Sequence, residues 1–296
     1  DGLSGLVNKS LVIVEEQEGK SRYRFLETIR QYAMEKLVEA GEAIATRDRH
    51  LDFMLGVMEY SPTRMFGMED LELLDRIESE HDNLRAALEW ATENHPATAL
   101  KLAYSAGGFW TIRDYNAEAQ FWCSTILGKT EAMSELEEDR GRLYGLLGWL
   151  MMTLGEHKKG RAASEQAITL AEKSNDFYTM SRAYATAGLA SCFLGDFPAA
   201  FPAIEKAESI AREHDLAAEL AFILGSRAQL EFIGKGDLPI ARVSVLEASD
   251  LVHKAGFIWA STFLDIGMGH IAAVMGDLET ARAAFGRSAD TARRLG

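Results

Sequence analysis

From about residue 97 onward, apolar and polar positions follow each other with helical periodicity, and glycine breaks the pattern at regular places. Gly155, Gly195, Gly236 and Gly276 stand 40, 41 and 40 residues apart, and each is followed by an acidic residue. A fixed period in this range predicts a stacked array of helical hairpins. Each glycine supplies the left-handed turn that ends a first helix, and the acid beside it suits the N-terminus of a second. Small residues form columns around these turns. Five positions after the glycine come Gly160, Ala200, Ala241 and Ala281, and seven further on Ala167, Ala207, Ala248 and Ser288. Four beyond those stand Ala171, Ala211, Val252 and Ala292. Steps of seven and four keep them on one helix face, where small size lets helices approach closely. Seven positions before the glycine the column reads Gly148, Gly188, Gln229 and Gly269.

A degenerate fifth hairpin precedes these four. Ala97 to Ile112 reads as its first helix, Arg113-Asp114 replaces the Gly-Asp turn, and Glu118 to Leu127 reads as its second. The opening residues have a different pattern. Leu3, Leu6, Val7 and Leu11 mark a short helix, Leu11 to Val14 a strand, Glu15 to Lys20 a loop containing Gly19, and Tyr23 to Phe25 the returning strand. A helix follows from Glu27 to Glu39, with Ile29, Tyr32, Ala33, Lys36 and Leu37 on its inner side and Gly41 closing it.

Two family resemblances follow from these residues. The column pattern resembles the tetratricopeptide repeat, with a period of about 40 in place of about 34 and no proline at the end of the second helix. Leu6 to Val12, Arg22 to Ala33, Gly41-Glu42, Arg49-His50 and Glu80 to Trp90 resemble the winged-helix end and linker of STAND-type signal-transduction ATPases. The bacterial members meant are those of LuxR-type and related transcription regulators. The resemblance implies a partial winged helix over residues 1–48, a helical linker region over 49–96 and tetratricopeptide-like repeats over 97–296. The fold class it implies is mainly α, with a right-handed superhelix of about five hairpins. It further implies that ATP or ADP, if used, belongs to an ATPase domain upstream of this segment, against which the winged helix packs. Relatives place a nucleotide-sensing histidine after the wing; here the aligned triplet is Phe25-Leu26-Glu27, and a leucine cannot donate a hydrogen bond to phosphate.

Composition narrows the function further. The net charge of −14 excludes backbone-driven nucleic-acid binding and docking to an anionic membrane, both of which need clustered Lys and Arg. Cys123 and Cys192 lie far apart without metal-type spacing, as expected of small buried residues in a reducing cytoplasm. No apolar run reaches the length of a membrane span, and the opening has no leader character. A first residue that is not Met is expected of a piece of a longer protein. Gly128-Lys129-Thr130 lacks the earlier glycine and preceding strand of a phosphate loop. The seven histidines form no zinc-hydrolase pair, and no serine stands in a nucleophile elbow. The expectation is therefore a protein that is not an enzyme and carries no cofactor or metal of its own.

The binding residues are expected on the first helix of each hairpin, which lines the concave face of such arrays. Counting back from the turn glycines selects Arg142, Trp149 and Met152, then Arg182, Leu189 and Phe193, then Ile223 and Leu230, and finally Phe263 and His270. Large apolar groups with two arginines fit a peptide helix or an amphiphilic small molecule. The function expected is a sensor or protein-interaction arm of a transcription-regulating ATPase, binding a protein partner or a small-molecule inducer. A free-standing repeat scaffold and the regulatory arm of a signalling cyclase are the alternatives.

Overall fold

The computed structural model describes residues 2–17, 20–58, 71–255 and 258–295. Backbone packing divides the chain into two units, Asp1–Phe53 and Met54–Gly296. In the first, α1 (Gly2–Asn8) leads into β1 (Val12–Gln17) and β2 (Lys20–Phe25), and α2 (Glu27–Glu39) follows. The strands pair antiparallel from Val12 opposite Phe25 to Gln17 opposite Lys20. They extend further into the expected loop than the apolar pattern indicates, because Glu15 and Glu16 are polar residues still within the ladder. Gly19 lies outside the described residues. Gly41 has the left-handed φ of 71° expected of the residue closing α2. The expected inner face of α2 is corrected in part: Ile29, Ala33 and Leu37 are half-buried, whereas Tyr32 and Lys36 face outward, the ammonium 5.5 Å from the ring centroid. After α3 (Ala43–Met58), the chain continues with α4 (Leu71–Ser79) and α5 (His81–Asn94).

The second unit continues as helical hairpins. The first pairs α6 (Pro96–Ile112) with α7 (Asn116–Lys129). Asp114 takes the turn position with φ 59°, a conformation that Asp and Asn tolerate better than most residues. The regular hairpins are α8 (Glu137–Thr153) with α9 (His157–Ser174), α10 (Phe177–Phe193) with α11 (Phe197–Glu213), α12 (Ala217–Leu230) with α13 (Leu238–Ala255), and α14 (Ile258–Val274) with α15 (Leu278–Leu295). All four turn glycines are left-handed, with φ between 67° and 81°. The small columns are where the hairpins close: Ala167, Ala200, Ala207, Ala241 and Ala248 are fully buried. A Cβ on Gly148 would lie 2.5 Å from Ser164 Oγ and 3.1 Å from the carbonyl of Gly160, so α8 and α9 cross backbone to backbone. Each first helix also packs on the next first helix, α8 on α10, α10 on α12 and α12 on α14, while successive second helices hardly meet. First helices therefore form the inner layer of a tetratricopeptide-like superhelix.

One hairpin departs from the pattern. Counted from the start of the first helix, the turn glycine is residue nineteen in three hairpins (Glu137 to Gly155, Phe177 to Gly195, Ile258 to Gly276) and residue twenty in the third (Ala217 to Gly236). The extra residue is accommodated as a π turn, Glu231–Lys235, continuing directly from α12. A single insertion widens one helical turn in this way and leaves the flanking helix intact. It accounts for the interval of 41, and it shifts the small-residue column: the third member is Ala228, 2% exposed, and not Gln229.

Candidate functional site

Two positions of each first helix face the inner layer. The sixth residues are Arg142, Arg182, Phe222 and Phe263, and the thirteenth are Trp149, Leu189, Gln229 and His270. All four of the latter, and the last three of the former, line one cavity of ≈ 600 Å³ between α8, α10, α12, α13 and α14. That volume lies in the range of small-molecule sites, roughly 300–1,000 Å³.

One end of the cavity is polar and internally satisfied. Arg182 Nη2 donates to Glu219 Oε1 at 2.6 Å, its Nε donates to the other carboxylate oxygen, and both side chains are buried. Burial works against the charge on Arg182, but the Glu219 carboxylate more than offsets it and holds the guanidinium pKa above its usual value. Tyr178 lines the same end, where burial first and then the Glu219 carboxylate push its phenol well above the ordinary range. The Arg182 guanidinium lies 4.1 Å from the centroid of the Phe222 ring, a cation–π contact continuing the network into the apolar part. There Trp149 meets Phe222 edge to face, centroids 5.2 Å apart, over Met152 and Leu189. Phe232 and Ile233 of the π turn, with Phe263, Leu264 and Ile266 of α14, complete the apolar wall. The two helices are held close here: a Cβ on Gly225 would come within 2.9 Å of Leu264 Cδ2.

Of the ten residues selected from sequence, Trp149, Arg182, Leu189, Phe263 and His270 line the cavity. The other five lie elsewhere, each for a physical reason. Arg142 is consumed by three carboxylates, donating to Asp176 at 2.8 Å, to Asp139 at 3.3 Å and to Glu138. Met152 supports Trp149 from behind. Phe193 stacks on His157 at the hairpin turn, centroids 4.9 Å apart. Ile223 and Leu230 are core residues, 0% and 1% exposed. Both were reached by counting back from Gly236 across the extra residue. Counted from the start of α12, the same positions are Phe222 and Gln229, and both line the cavity. The interval of 41 was the available signal for this shift.

Among the described residues, no cluster of three or more His, Cys, Asp or Glu could hold a metal ion. Both cysteines are free and buried, which pushes the Cys192 thiol up to about 11 and Cys123 higher still. Lys129 ends α7 paired with Glu93, and the Thr130 hydroxyl donates back to Ile126, so neither is turned toward a phosphate. Among the described residues, no helix is long and apolar enough to cross a membrane.

Comparison with known proteins agrees with this architecture. No protein-family model matches the chain. It is 33% identical over 263 residues to proteins named "Putative HTH-type transcriptional regulator" in Mycobacterium bovis and Mycobacterium tuberculosis. The match takes in 86% of this chain but only 29% of the length of those relatives. Among solved structures, the apo form of RapI superposes with a TM-score of 0.63 at 15% identity, covering 90% of each chain. A Rap protein complexed with competence and sporulation factor superposes with a TM-score of 0.61 at 15% identity, over 90% of this chain and 74% of that one. At such identity the likeness is one of fold, a tetratricopeptide-like helical superhelix, joined here to sequence similarity with transcription regulators.

Proposed function

We propose that this chain is the non-catalytic sensor arm of a STAND-type, LuxR-related transcription regulator, and that its inner cavity receives the inducer or partner to which the regulator responds. On this reading residues 1–48 form a partial winged helix, 49–96 a linker region and 97–296 the sensing repeats, all acting in the cytoplasm. ATP or ADP is held by a segment outside these residues. The observation that carries the reading is the cavity itself, which gathers side chains from successive first helices of the inner layer. Occupancy favours one packing of these helices over another, and that differential affinity is what a sensor passes to its output. Similarity to named transcription regulators supports the regulatory setting. The Rap protein complexed with competence and sporulation factor lends support for a bound partner in a fold of this kind.

The reading is tested in the full-length regulator with a transcriptional reporter. Phe263 is half exposed at the cavity wall, so Phe263→Asp is expected to leave the thermal melt unchanged and abolish the induced response. An induced response equal to wild type in a folded Phe263→Asp protein would remove the cavity from signalling.

A further inference from the structure

The charge and size of the cavity narrow what can occupy it. Among its described lining residues, Arg182 and Glu219 are the only members of the Lys, Arg, Asp and Glu set, and they neutralise each other. The third polar group at that end, Tyr178, has a phenol that burial and the neighbouring Glu219 carboxylate hold in its neutral form. A cationic ligand would meet no free counter-charge among the described lining residues, and an anionic one would meet only the solvent-exposed His270 imidazole; burying an uncompensated charge is strongly unfavourable. The exposed amide of Gln229 offers one donor and one acceptor at the wall, suited to a neutral polar substituent. Apart from Ser226 and His270 the remaining wall is aromatic and aliphatic, and its part nearest the turn exists because of the extra residue: Phe232 and Ile233 both belong to the π turn. Their counterparts in the preceding hairpin, Cys192 and Phe193, line no part of the cavity.

Size points the same way. The ≈ 600 Å³ cavity falls in the range of small-molecule sites. A single drug-sized molecule fits it. We infer that the cavity binds an uncharged small molecule with an aromatic or aliphatic body and one neutral hydrogen-bonding group, seated between Phe222, the π turn and α14. The inference rests on the sensor reading and adds the chemical class of its ligand.

The test uses two environment-sensitive dyes on the purified chain, neutral Nile red and anionic anilinonaphthalene sulfonate, with two variants of the exposed Gln229. Gln229→Trp fills the cavity from its wall, and Gln229→Lys supplies the missing cation. Nile red is expected to saturate with blue-shifted emission and to bind about tenfold more weakly to Gln229→Trp. The anionic dye is expected to bind about tenfold more weakly than Nile red, and to gain in Gln229→Lys. Equal affinity of both dyes for wild type, with both reduced in Gln229→Trp, would overturn the neutral-ligand assignment and leave the sensor reading standing. Dye binding unaffected by Gln229→Trp, with the reporter response abolished by it, would assign the cavity to a macromolecular partner and overturn the inference alone. Dye binding and reporter response both unaffected would overturn the inference and the sensor reading together.

Discussion

The first two regular hairpins and the last two are built to one plan but treat the sixth residue of the first helix in opposite ways. In α8 and α10 it is arginine, and each arginine reaches the next first helix through a carboxylate: Arg142 to Asp176, Arg182 to Glu219. In α12 and α14 it is phenylalanine, and no ion pair ties these two helices at that level among the described residues. The ionic half is cross-linked at this level. The aromatic half leaves room, and the cavity extends into it from the last arginine. Small-residue columns and turn glycines thus set the spacing of hairpins, while one variable position decides whether neighbouring first helices are tied by an ion pair or faced with aromatic rings.

The sharpest way to break this contrast is at the junction. Glu219→Leu leaves the Arg182 guanidinium buried without its partner and is expected to cost about 3–5 kcal/mol in denaturant unfolding. The double variant with Arg182→Met is expected to recover most of that loss, because burying the pair costs desolvation on both sides. A double variant no more stable than Glu219→Leu would show that the pair is needed for more than charge balance. Next comes the packing of the hairpins themselves. Gly148→Ala pushes a methyl against Ser164 and the Gly160 backbone, so a loss of about 1–3 kcal/mol is expected. Gly269→Ala first meets the Phe285 ring, a side chain 38% exposed and not backbone, and the same melting comparison should show a clearly smaller loss.

Asp176 tests the ionic half more gently. Its carboxylate caps α10 by accepting from the Thr179 amide at 3.1 Å while also accepting from Arg142. Asp176→Ala is expected to cost about 1–2 kcal/mol, and Asp176→Asn, which keeps the cap, about half as much. Equal losses would assign the whole effect to the ion pair. The smallest change in stability is expected from deleting Ile233, which returns the third hairpin to the length of its neighbours. Unfolding should move by less than about 1 kcal/mol, while Nile red affinity falls about tenfold as the wall formed by the π turn is lost. Retained dye affinity would separate the cavity from the extra residue.

Much of this architecture was legible in the chain. Gly155, Gly195, Gly236 and Gly276 announce themselves because only a left-handed turn needs glycine there, and all four adopt it. Ala167, Ala207 and Ala248 were equally plain, since close helix crossings admit only small side chains. The cavity was legible in outline, through Trp149, Leu189 and His270. What sequence reasoning missed has two physical origins. Ile223 and Leu230 were named in place of Phe222 and Gln229 because a turn glycine fixes register only as far as the helix before it is regular. Arg142 looked available because nothing in a one-dimensional pattern shows that Glu138, Asp139 and Asp176 converge on it. Tyr178 and Glu219, one near the start of α10 and the other near the start of α12, could be paired only in three dimensions.

The extra residue of the third hairpin also bears on how such a molecule acquires new recognition. One codon gained inside a buried helix ordinarily rotates every later side chain by about 100° and scrambles the core. Here the rotation is absorbed before Gly236, so α13, α14 and α15 keep their registers with Ala241, Ala248 and Ala281 still buried. Because each unit of a tandem array packs chiefly on its neighbours, the change stays local. A repeat protein of this design therefore diversifies by small changes of length in single units, each opening a differently shaped chamber while the rest of the array stays as it was.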